Sequence, residues 1–219
     1  GASTTEDTCN LAKHAASNGI SAIMLAPRPI KTQTKAELVD YFTRVSKEAE
    51  NIDIMLQDAP EYLGIDINNE LMKYLTNEIK NITYIKSEKP PVSNTIFNLK
   101  QTFSKEDIGI FGGQAAVGFF ELLESGGTGT IPGCEATSIL VRIWDEYHLN
   151  KNKKKAMEVF YKVLPFFVFE MQSLEMFIKC TKTVLFQKGT ISSNVTRFDL
   201  ELSPVAKSIL DRNIKQLIK

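Results

Sequence analysis

Ile82-Thr83-Tyr84-Ile85-Lys86-Ser87-Glu88 is a short apolar run that ends on a lysine and an acid. Ile82 to Lys86 is too short for a buried helix, and the segment is closed by Pro90-Pro91, so it reads as a buried parallel strand. Two earlier runs have the same form. Ile20 to Leu25 is stopped by Pro27 and Pro29, and Ile52 to Leu56 is closed by Asp58-Ala59-Pro60. Helical patterns separate them. Thr34 caps Lys35 to Glu50, which carries Leu38, Phe42 and Val45 on one face, and Asn68 or Asn69 starts a helix through about Ile79. Upstream, Thr4-Thr5-Glu6-Asp7 reads as a cap with an acidic first turn, Leu11, Ala12, Ala15 and Ala16 follow helical spacing, and Asn18-Gly19 ends that helix.

Two shorter units follow. Asp107 to Phe111 is a strand, then Gly112-Gly113 and a helix through Glu124; Gly129 to Ile131 is a strand, then Pro132-Gly133 and a helix through about His148. Alternating strands and helices mean right-handed βαβ crossovers and a parallel sheet. The class is α/β, either an open doubly wound sheet or a (β/α)8 TIM barrel. In both, function lies at the C-terminal ends of the strands. After Asn150 the strands stop. Lys151 to Lys188 is helical in pattern with a break expected at Pro165, and Ser203-Pro204 starts a last amphipathic helix through Lys219. The expected division is a βα portion over 1–149 and a C-terminal helical extension over 150–219.

Composition excludes several functions. The 219 residues carry 26 basic and 26 acidic side chains, a balance that argues against nucleic-acid binding. Three cysteines, Cys9, Cys134 and Cys180, form no CxxC, which argues against a disulfide framework or a zinc site and fits a reducing, cytoplasmic setting. His14 and His148 stand far apart, so neither a metal centre nor a Ser-His-Asp triad is expected. The most apolar stretch, Val159 to Ile178, contains Lys162, Pro165, Glu170 and Glu175, too many interruptions for a membrane helix.

The candidate chemistry follows from position. Lys86 and Glu88 share a face with Ile82 and Tyr84, because side chains alternate along a strand. Burial penalises a charged ammonium, so a lysine held there can serve as a nucleophile toward a ketone, with Glu88 moving protons. The alternative is a lysine that snorkels to solvent beside Glu88. Gln57 ends the preceding strand and offers an amide near the amine, or else is a surface residue that merely ends a strand. Phe111-Gly112-Gly113 ends a strand where backbone can approach a ligand. Gly126-Gly127-Thr128-Gly129-Thr130 lacks the lysine of a P-loop and the third glycine of a dinucleotide fingerprint.

At these residues the chain resembles the dihydrodipicolinate synthase / N-acetylneuraminate lyase family, Schiff-base class I aldolases and dehydratases on a (β/α)8 barrel. Ile85-Lys86 is similar to the family's Schiff-base lysine segment. Phe111-Gly112-Gly113 is similar to the end of its seventh strand, and Gly126 to Ile131 to the entry of its eighth, which places Ile131 near the lysine. The resemblance implies catalytic roles for Lys86, Glu88 and Gln57 and substrate binding at Gly112, Gly113 and Ile131. It also implies that only about strands three or four to eight lie in this chain, the family's N-terminal units preceding Gly1.

The chain departs from the family's usual residues at three places: Gln57 stands for a tyrosine, Tyr62 for a substrate-binding arginine, and Arg28-Pro29 for a tyrosine pair. With these departures it looks more like the branch that includes 2-keto-3-deoxy-L-arabonate dehydratase. The implied activity is a lyase that forms an imine with a 2-oxo acid and dehydrates a 2-keto-3-deoxy sugar acid. A pyruvate-dependent aldolase or synthase and a degenerate ligand-binding or scaffold member are the alternatives. No cofactor or metal is expected. The expected partners are a small-molecule substrate and further copies of the chain, as a dimer or tetramer, with neither nucleic acid nor membrane.

Overall fold

Five parallel strands lie side by side in chain order: β1 (Ala22–Leu25), β2 (Asp53–Asp58), β3 (Ile82–Ser87), β4 (Gly109–Gly112) and β5 (Gly129–Thr130). The structure is a computed structural model that describes residues 1–28 and 34–218. Pro29 and Lys219, named above, lie outside the described residues.

The chain divides into two compact units, one of Gly1–Gly113 with Glu121–Thr130, the other of Gln114–Phe120 with Ile131–Lys219. The first holds the sheet. Leu25, Leu56, Ile85 and Ile110 stand level across β1 to β4, each 2% exposed or less. The helices of this unit are α1 (Thr5–Ser17), α2 (Lys35–Glu48), the short α3 (Pro60–Leu63), α4 (Asn69–Glu78) and α5 (Val92–Thr102). They bury Leu38, Phe42, Val45, Leu71, Leu75, Ile96 and Leu99. α4 packs on β3 and α5 on β4. Each such side chain contributes about 1.5–3 kcal/mol by leaving water.

The other face of the sheet carries Met55, Tyr84, Gln57, Lys86, Phe111 and Gly129, with Gln57, Lys86, Phe111 and Gly129 in one row. The rings of Tyr84 and Phe111 meet edge to face at 5.8 Å beside Lys86.

The caps form as the sequence predicts. The Thr4 side chain accepts from Asp7 N, Thr34 and Glu37 form a capping box on α2, and Asn68 accepts from Leu71 N on α4. α5 is an addition: Pro91 precedes it without a side-chain cap, so the sequence carries no start signal there.

The second unit is helical. α7 (Thr137–His148), α8 (Lys153–Glu170), α9 (Leu174–Gln187) and α10 (Pro204–Leu217) pack with α8 touching the other three. Phe160, Val163, Phe166 and Phe167 of α8 are 0–1% exposed and form its core. The break expected at Pro165 is corrected: Pro165 lies inside α8, and the chain turns instead at Met171 to Ser173, where Ser173 caps α9. Burial of the aromatic side chains around it outweighs the one hydrogen bond that proline removes.

The helix expected straight after Gly113 is also corrected. Gln114, Ala115 and Ala116 have φ of 52°, 47° and 66° and form a tight 3-10 turn, and α6 (Phe119–Glu124) starts only after it. Ala115 and Ala116 are buried, and each carries the cost that a Cβ meets in this left-handed backbone. No helix among the described residues is long and apolar enough to cross a membrane.

Candidate active site

The sheet register places the chemistry. Lys86 is the next-to-last residue of β3 and stands level with Gln57 of β2. Glu88 follows β3, and its N–H donates to Asp58 O at 2.8 Å, extending the β2–β3 pairing one residue further. Strand alternation then turns Lys86 and Glu88 to one side. Lys86 Nζ lies 2.8 Å from Glu88 Oε1, with each side chain 9% exposed. Gln57 Nε2 donates to the same Oε1 at 2.6 Å. One carboxylate oxygen thus receives the ammonium and the amide together.

Gly113 explains how the pair fits. A Cβ there would lie 2.4 Å from Glu88 Cγ, 2.6 Å from Glu88 Cδ and 2.8 Å from Lys86 Cε. Gly112 faces the other way: a Cβ at that position would lie 2.5 Å from Leu122 Cδ1, and its carbonyl accepts from Thr130 Oγ1 at 3.2 Å. Ile131 follows β5, belongs to the second unit and is 36% exposed. Of the six residues named from sequence, the structure gathers Lys86, Glu88, Gln57 and Gly113 into one cluster.

Two further side chains, Asp58, read from sequence only as closing a strand, and Tyr62, read only as standing in place of an arginine, lie near this cluster. Asp58 is buried and points away from Gln57, on the Ser87 side of the sheet. Burial pushes its carboxyl up from 3.8 to about 6, reinforced by Asp66 and opposed by the Ile67 N–H, Lys89 and Ser87. The signal for it was present, since an acid two residues before a proline at a strand end is unusual inside an apolar run. Tyr62 of α3 is 50% exposed, and its phenol is raised by partial burial and then by the negative charge of Glu88. Nothing local in the sequence indicates that Tyr62 lies within the field of Glu88, because the turn of α3 decides it.

The arrangement has a clear chemical capacity. Desolvating two charges costs several kcal/mol per ion, so a buried pair is weak evidence of a stabilising role. What it offers is an amine whose proton has an acceptor 2.8 Å away in a water-poor site. No group of three or more His, Cys, Asp or Glu that could hold a metal occurs among the described residues.

The family model described as the dihydrodipicolinate synthetase family matches residues 1–216. The chain belongs to this family. Among its relatives is the 4-hydroxy-tetrahydrodipicolinate synthase of Methanococcus aeolicus, 26% identical over 170 residues, which are 74% of this chain and 55% of the relative. The L-2-keto-3-deoxyarabonate dehydratase of Azospirillum brasilense is 28% identical over 117 residues, 52% of this chain and 37% of that protein. The chain therefore spans about half the length of the first of these curated relatives and less of the second. A crystal structure of dihydrodipicolinate synthase from Rhodopseudomonas palustris superposes with a TM-score of 0.88 at 22% identity, covering 99% of this chain and 72% of that one. The likeness to that structure is one of fold. It agrees with the parallel α/β architecture.

Proposed function

We propose that this family member is a Schiff-base lyase acting on a 2-oxo acid, with Lys86 as the nucleophile. The carrying observation is the buried Lys86–Glu88 pair at 2.8 Å, at the C-terminal end of a parallel strand. Glu88 takes the ammonium proton, and the free amine adds to the C2 ketone. The carbinolamine hydroxyl leaves as water, protonated by Glu88. The resulting cationic imine draws electrons from C3, and Glu88, again a carboxylate, removes a C3 proton. Glu88 returns that proton to the C4 hydroxyl, which the enamine expels as water. Gln57 holds the Glu88 carboxylate in place and has no acidic proton of its own to give. The imine itself supplies the electron sink, so the scheme needs no added cofactor.

The dehydratase outcome is favoured by Gln57 standing where the family resemblance places a tyrosine, and by the dehydratase among the relatives. The rival outcome, aldol cleavage or synthesis through the same imine, is supported by the synthases among them. To this reading belong a (β/α)8 barrel for the sheet, a division near residue 149 between the βα portion and a helical extension, a substrate contact at Gly113, and a homo-oligomeric state.

Borohydride reduction in the presence of pyruvate, followed by peptide mass mapping, tests the imine. The expected result is a reduced adduct on Lys86, absent from Lys86→Ala. A folded protein that gives no adduct with any 2-oxo acid would overturn the reading in favour of a scaffold role. Turnover then separates the outcomes, since aldol cleavage releases pyruvate and dehydration does not.

A further inference from the structure

Arg28 lies three residues beyond the end of β1, at the same end of the sheet as Gln57 and Lys86. It lines a cavity of about 540 Å³ together with Ala26, Pro27, Tyr41 and Leu63. Its Nε is buried and has no hydrogen-bond partner among the described residues. The guanidinium carbon stands 5.9 Å from the Tyr41 ring centroid, and the Tyr41 hydroxyl donates to Ala26 O at 3.0 Å, which fixes the ring. No carboxylate among the described residues forms an ion pair with Arg28. Glu37, whose carboxylate feels its charge, has Oε2 occupied by Thr34 N at 2.7 Å and Thr34 Oγ1 at 2.8 Å.

A buried guanidinium N–H without an acceptor is a standing cost that an anion would relieve. A planar fork of donors held against a ring is suited to a carboxylate, which can accept two parallel bonds. Leu63 joins this cavity to α3, whose Tyr62 lies in the field of Glu88. Only β2 separates β1 from β3, a gap of about 10 Å at normal strand spacing. An extended lysine, a short acid chain and an arginine can bridge it.

We propose that Arg28 forms a carboxylate-binding subsite, and that the 2-oxo acid held at Lys86 is a diacid whose far carboxylate it receives. The second clause rests on the imine reading above; the first does not. The choice of a diacid is compatible with either dehydration or aldol chemistry at C3 and C4.

The test compares borohydride trapping by 2-oxoadipate with trapping by 2-oxohexanoate, its neutral-ended counterpart. The full chain is expected to half-saturate with 2-oxoadipate at a concentration at least about tenfold lower, the size of one well-made charged contact. Arg28→Gln brings this ratio within about twofold of unity, and Arg28→Lys keeps part of the preference. Arg44→Gln, which alters an exposed residue paired with Glu6, leaves the ratio unchanged. Because the ratio is taken within each variant, a loss of folded fraction cancels.

A ratio near unity in the parent chain, or one that survives in Arg28→Gln, overturns the diacid proposal. If neither acid traps on Lys86, the imine reading fails by itself, and the subsite is read with glutarate in a thermal shift. Glutarate then raises Tm in the parent chain and in Lys86→Ala but not in Arg28→Gln. The absence of that difference overturns the subsite.

Discussion

Gly113 sets the tightest steric limit in the candidate site. Any Cβ there meets Glu88 and Lys86 below 3 Å, but the colliding atoms lie toward the ends of flexible side chains. The pair can therefore move aside without unfolding the chain, and the substitution tests geometry more than stability. Gly113→Ala is expected to slow borohydride trapping at Lys86 by at least about tenfold, since displacing a reacting group by an ångström is enough for that. Its Tm should stay close to that of the parent. Gly126→Ala is the converse control. Gly126 has φ of +76° with open space around it, so alanine loses about 1 kcal/mol of stability and leaves trapping intact. Equal losses of trapping in both variants would remove the steric argument for Gly113.

At this scale the sequence was informative about which residues meet and silent about the atoms through which they do so. Lys86 at the end of an apolar strand stands out in one dimension. That Gln57 and Lys86 share one oxygen of Glu88 does not, because it depends on the register of β2 against β3. That register carries a shift between Ile54 and Met55, which no local pattern announces.

Elements obeyed their local signals where those signals were chemical. Thr4, Thr34, Asn68, Ser173 and Ser203 all cap helices through their side chains. The proline rule failed at α8, where tertiary packing overrode it. Pro165 is exposed, and its carbonyl accepts from Asn213 Nδ2 at 3.3 Å, while Phe166 and Phe167 beside it are buried. An interior proline costs about 3 kcal/mol relative to alanine, offset in part by its stiffening of the unfolded chain, which is worth about 0.4–1 kcal/mol. Pro165→Ala, which restores an N–H without disturbing the aromatic core or the Asn213 contact, is expected to raise Tm by about 4–10 °C in thermal denaturation. A lower Tm would mean that α8 is shaped around the missing hydrogen bond. The turn at Gln114 to Ala116 is the complementary case. Three non-glycine residues hold positive φ there, which a reading of residue preferences does not anticipate.

On the scale of the whole molecule, the chain buries acids in both units. In the helical unit Glu170 is fully buried, and its carboxyl oxygens lack hydrogen-bond partners among the described residues. Burial, and then the nearby Glu135 charge, push it from 4.5 up to about 10. Cys180 is raised to about 12 by burial and by the same two acids. The folded chain therefore holds a proton that the unfolded chain releases. Stability from this group is complete below about pH 4.5 and falls as pH rises toward 10. Glu170→Gln keeps the shape and removes the titration. It should leave Tm nearly unchanged at pH 4 and raise it by about 5 °C or more at pH 9, a gain that grows across that interval. A Tm difference independent of pH would show that Glu170 is not protonated in the fold.

The sequence by itself determined the order of the five strands, most of the longer helices with their caps, the parallel α/β class and the lysine at a strand end, while α3, α5 and the division between α8 and α9 were not written in it. The features it determined depend on side-chain period and on contacts within a few residues, which are written locally. Only the tertiary structure decided that Glu88 is shared by Lys86 and Gln57, that Gly113 opens the space they occupy, that Pro165 is absorbed into a helix, and that Arg28 lines a cavity with no ion-pair partner among the described residues. Each of these turns on which strands align and which side chains lose water together. Register and burial are set by the whole packed chain, so they cannot be read from any stretch of it alone.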